Sequence, residues 1–148
     1  LPGVFHEDNE FTPRAYWWAE KVTSVNDIVY YVRQTPASIT RTPNPKRGLD
    51  LLEIINILAE FAENKVSAEY RPYVYKQIAD CINWCIRLTN SLGKEDAAML
   101  MERIYSNRHI FCHMLKSHKL THRIEGRLLT IFPKRARLIY NILDIIHR

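Results

Sequence analysis

Between positions 49 and 64 apolar residues fall at Leu51, Leu52, Ile54, Ile55, Leu58, Phe61 and Ala62, spacings that suit a helix buried over a wide face. The next apolar stretch carries two such stripes. Val74, Ile78, Cys81, Ile82 and Cys85 make one, and Tyr75, Ala79 and Ile86 the other, so this helix must pack on two sides. Only 4 Gly and 7 Pro occur in 148 residues, too few turn-formers for a sandwich of many short strands. The expected fold class is therefore all-α.

Other helices follow from caps and periodicity. Thr12 before Pro13 reads as a cap and first-turn proline, opening a short helix through Tyr16, Trp17, Trp18, Ala19 and Val22 after an extended lead-in over 1–11. Ser24 and Asp27 resemble a capping box ahead of Ile28, Val29, Tyr30, Tyr31 and Val32. That run is equally rich in strand-formers, but no partner strand is evident, so helix is preferred. Residues 35–48 hold three prolines and end in Gly48, which marks an internal loop. Ser67 caps the two-striped helix, Gly93 breaks the chain after it, and Asn107, Thr121 and Pro133 open the last three helices. The sum is about eight helices in one domain spanning 1–148, arranged as a compact bundle or a short right-handed superhelix of antiparallel helix pairs. Analogy with helical peptide-binding and scaffold domains favours the superhelix.

The net charge of +5 hides a division. Residues 1–102 are net −3, whereas 103–148 are net +8, with only Glu125 and Asp144 as acids. Lys134, Arg135 and Arg137 follow Pro133 in the opening turns of a helix, where the dipole favours anions, and Arg108 and Arg123 fall in similar places. An anionic ligand would offset that placement. The expected partner surface is therefore Arg108, Lys116, Lys119, Arg123, Arg127, Lys134, Arg135 and Arg137. An acidic or phosphorylated protein segment suits it better than nucleic acid, because no helix shows Arg, Asn and Gln spaced for base edges, and most aromatics nearby sit at core positions.

Tyr16, Trp17 and Trp18 cannot all point into one core from a single short helix, so Trp17 and Trp18 are possible aromatic anchors in a partner interface. A third reading is thus a structural assembly domain that buries an aromatic helix face.

Catalytic signatures are absent: there is no Gly-rich phosphate loop, nucleophile elbow or paired-carboxylate motif. The His109, His113, His118 and His122 spacing with Cys112 is too unspecific for zinc, so no metal, cofactor or small-molecule substrate is expected. Cys81 and Cys85 read as core residues. Thr35 and Thr42 each precede a proline, a minimal phosphorylation context. An odd cysteine count, no glycosylation sequon and no apolar run of about 18 residues point to an intracellular protein, nuclear or cytoplasmic, that does not enter the membrane. A start at Leu1 rather than Met fits a segment of a longer protein. The expectation is a non-enzymatic interaction or scaffold module.

Overall fold

The computed structural model describes residues 3–31 and 42–146, with side chains to residue 143. Seven α-helices are present among them: α1 (Glu7–Trp18), α2 (Pro45–Asn64), α3 (Arg71–Leu88), α4 (Lys94–Ser106), α5 (Phe111–Met114), α6 (Leu120–Ile131) and α7 (Ala136–Ile146). Short 3₁₀ turns, Arg108–Ile110 and Pro133–Arg135, lead into α5 and α7. No strand occurs among the described residues, and the fold is all-α.

The long helix α2 begins where its chemistry allows. Asn44 accepts from the Lys46 amide at 2.9 Å, and Pro45 at the first position needs no amide partner. The expected Pro-rich loop therefore ends before Pro45, and its 35–41 portion lies outside the described residues. Gly48 stands inside α2 for a packing reason: a Cβ there would sit 2.5 Å from Leu100 Cδ2 of α4.

Helices α2 and α3 form the central pair, with Leu51, Ile54, Ile55, Leu58 and Ala62 against Tyr75, Ile78, Ala79, Ile82 and Ile86, all buried. Leu100 and Ile104 of α4, Phe111 and Met114 of α5, Leu129 of α6, and Ala136 and Tyr140 of α7 complete one continuous core. Because α3 touches α1, α2, α5 and α7, the helices surround it, which makes a bundle rather than a line of stacked pairs. The two stripes read from the sequence are the reason: α3 is buried on opposite sides. Cys81 and Cys85 lie in this core.

Two N-terminal expectations are corrected. The lead-in ends at residue 6 and its described part, residues 3–6, is turn and not extended chain, since α1 starts at Glu7 and carries Pro13 inside it. Glu7, Asp8 and Glu10 in its first turn complement the helix dipole, a signal outweighed by the Thr-Pro pair downstream. Residues 19–31 form no helix; Ile28–Tyr31 belong to no regular element and are exposed to solvent. No helix among the described residues is long and apolar enough to cross a membrane.

Candidate functional site

The basic side chains singled out by the sequence differ in their surroundings. Lys116 follows α5 and pairs with Glu63 at the end of α2, at 2.7 Å. Glu63 also receives the Tyr75 hydroxyl and a 3.1 Å contact from Arg71. Hydrogen bonds from Lys116 and Tyr75 pull the Glu63 carboxyl down to about 2. Lys116 is thus paired with a carboxylate 53 residues earlier in the sequence while its side chain stays half exposed.

Arg137 lies elsewhere, its Nε donating to Asn90 Oδ1 at 2.7 Å beyond the end of α3. Arg108 and Lys134 both reach Tyr105: each cation stands 5.3 Å from the centroid of its ring, so two charges from distant positions share one aromatic side chain. A cleft of about 380 Å³ opens beside them, lined by Ser106, Arg108, His109, Phe111, Cys112 and Thr130. Arg123 and Arg127 are exposed, one turn apart on α6, and form no ion pair among the described residues. Lys119 immediately precedes α6, and Arg135 ends the 3₁₀ turn before α7; both are exposed. The eight residues therefore split into an Arg108–Lys134 pair, four open cations, and two engaged elsewhere.

The aromatic candidates also divide. Helix α1 lies on α3 through Asn9, which accepts from Gln77 at 2.7 Å, and through Trp17, whose ring meets Tyr70 edge-on at 6.1 Å. Pro13, Tyr16, Trp17, Tyr70, Tyr73 and Val74 line an apolar groove of about 520 Å³ between the two helices. Trp18 takes no part in it and is 66% exposed. Phe11, Ala15 and Trp18 recur at spacings of four and three, on the side of α1 turned away from α3. Beyond Trp18 the chain runs on with Val22, Val25, Ile28, Val29, Tyr30 and Tyr31 all exposed. For a face of this size, exposure to water is a standing cost that a partner would remove.

A third cluster was invisible in the sequence. His6 adopts a left-handed conformation at φ 64°, the one non-glycine to do so among the described residues. Its ring meets Trp84 edge-on at 4.6 Å and accepts from Arg47 Nε at 3.4 Å, while Arg47 lies 4.5 Å over the same indole. Burial, reinforced by the Arg47 charge, lowers the His6 pKa. The Phe5 amide donates to Asp50 at 2.8 Å, which holds the strained residue against α2. Histidine is among the residues that tolerate such a backbone, but composition carries no sign of it.

His109 and His113 face each other at 6.4 Å between ring centroids, His118 packs on Tyr73, and buried His122 bonds Ser117 at 3.2 Å. Among the described residues no three metal-binding side chains come together. Thr42 is exposed, and Thr35 lies outside the described residues. No protein-family model matches the chain, and neither a curated protein nor a solved structure shows detectable similarity to it.

Proposed function

We propose that this chain is a helical docking module that joins a larger protein assembly through its N-terminal apolar face. The observation that carries the reading is the run of large apolar side chains from Phe11 to Tyr31 that the bundle leaves uncovered. The five aromatics among them, Phe11, Tyr16, Trp18, Tyr30 and Tyr31, are 61–83% exposed. A bundle with a complete core of its own has no need of this surface for folding.

A second reading rests on a different observation. Arg108 and Lys134 meeting at Tyr105, with a cleft beside them, suit an acidic or phosphorylated protein segment, or the phosphates of a nucleic acid. Quantitative affinity capture separates the two. Trp18→Glu is expected to abolish partner recovery while an Arg108→Glu, Lys134→Glu double variant retains it; the reverse pattern would transfer the function to the basic cleft.

A further inference from the structure

We propose that the N-terminal arm, residues 3–10, is a proton-released latch: neutral His6 seats it on α2 and α3, and protonation of that imidazole lets it go. The inference goes beyond docking and does not depend on it. Its ground is the geometry around one ring. His6 is half-buried, edge-on to Trp84 of α3 at 4.6 Å, and its Nε2 accepts from Arg47 Nε of α2 at 3.4 Å. An imidazole nitrogen can accept there only while it is bare; once protonated it turns a second N–H toward a donor and a second positive charge toward a guanidinium. Arg47 has little room to retreat, because it is 5% exposed and its guanidinium lies 4.5 Å over the Trp84 ring.

The other charges near the ring do not rescue the protonated form. Glu7 and Asp8 on α1 and Asp50 on α2 attract it, but burial and the Arg47 charge outweigh them and lower the His6 pKa. Asp50 is already engaged by the Phe5 amide at 2.8 Å and by Lys46, whose ammonium also donates to the Gly3 carbonyl at 3.0 Å. On the α3 side Asp80 borders the same small cleft as His6, and its carboxylate is taken up by Lys76 at 2.6 Å and His122 at 3.4 Å. Beyond the ring the arm is tied through Phe5, Gly3 and Asn9, the last accepting from Gln77 at 2.7 Å, all bonds at least partly open to water and so readily exchanged for it. Seating also holds His6 at φ 64°, a strain that a released chain is free to lose.

The seated arm has the lower pKa and the released arm the ordinary one near 6.5, so the latch is whole above about pH 6.5 and weakens as pH falls through the lower value. At full protonation the seating constant drops about tenfold for each unit that separates the two. Residues 7–10 are the first turn of α1, so release loosens the helix that carries Phe11 and Trp18.

The test uses the full chain from pH 8 to pH 5. Imidazole chemical shifts, assigned with His6→Asn, give the His6 pKa, and hydrogen exchange at Phe5 and the α1 amides, corrected for the intrinsic pH dependence of exchange, gives the opening of the arm. Expected are a His6 pKa below 6.5 and a loss of arm protection on the same titration, about tenfold per unit of measured depression, with the α2 and α3 amides still protected. His6→Asn removes the titrating ring and keeps a residue that tolerates the left-handed backbone, so its arm protection should be flat over this range. Should that variant leave the arm open already at pH 8, the wild-type titration decides alone. A His6 pKa at or above 6.5, arm protection that does not change with pH, loss of arm and core protection together, or the same pH dependence in His6→Asn would each overturn the latch.

Discussion

Gly126 offers a sharp test of how the C-terminal helices are joined. In an open helix interior, replacing Gly by Ala gains about 0.8–1 kcal/mol. Here the new Cβ would fall 2.7 Å from Met114 Cβ, 3.1 Å from the Phe111 carbonyl oxygen and 3.2 Å from Leu115 Cδ2. Two of these three atoms, Met114 Cβ and the Phe111 oxygen, are backbone or next to it and cannot swing aside, so α5 and α6 must separate. Phe111 and Met114, both fully buried, would lose contact on one side. Overpacking of this kind costs typically 1–3 kcal/mol, and the upper part of that range applies where backbone must move. Subtracting the propensity gain leaves a net loss of about 1–2 kcal/mol, or about 3–6 °C in Tm for a chain of this size. Gly48→Ala is the control: its Cβ meets only the side-chain end of Leu100, which can rotate, so the loss should be smaller. Urea denaturation followed by circular dichroism measures both. A Gly126→Ala protein as stable as the parent, or more so, would mean that α5 and α6 do not cross at this closeness.

Three further outcomes follow from buried groups. Burial lowers the pKa values of His113 and His122 from the ordinary 6.5, so neutral imidazole is the folded form. Their contribution to stability is whole above about pH 6.5 and is lost as pH falls toward the depressed folded values; thermal melts from pH 8 to pH 5 should show it, and an unchanged Tm would contradict it. Burial pushes the Cys81 thiol up to about 12 and raises Cys85 also, whereas Cys112 is exposed, so a thiol reagent should label one of three cysteines quickly in the native protein and all three in urea. The Tyr140 hydroxyl donates to buried Asn83 Oδ1, whose amide in turn donates to Glu125 at 3.0 Å; Tyr140→Phe leaves that oxygen unpaired and should cost about 1–3 kcal/mol by denaturant midpoint.

Much of the helical core was legible because its signal is local. The spacing within α2 and the double stripe of α3 report burial directly, and Cys81 and Cys85 fall on them. The site was less legible because it depends on distance. Summing charge along 103–148 cannot show that Glu63, far earlier in the chain, captures Lys116, or that Tyr105 gathers Arg108 and Lys134. The missed start of α1 has a different cause. A Thr-Pro pair fits a helix beginning equally well wherever the helix begins, and the acidic turn at Glu7 speaks only weakly against it.

The segment from Val25 to Tyr31 is the most informative misreading. Its residues suit a strand, and helix was preferred on the ground that no partner strand exists in the chain. The premise holds among the described residues, yet the segment forms no helix. Local preference and the absence of an internal partner are therefore both true, and they conflict only if everything the segment pairs with must lie within these residues. Dropping that assumption removes the conflict. An exposed apolar run beside a helix with an uncovered apolar stripe then counts as surface left for something outside these residues to cover.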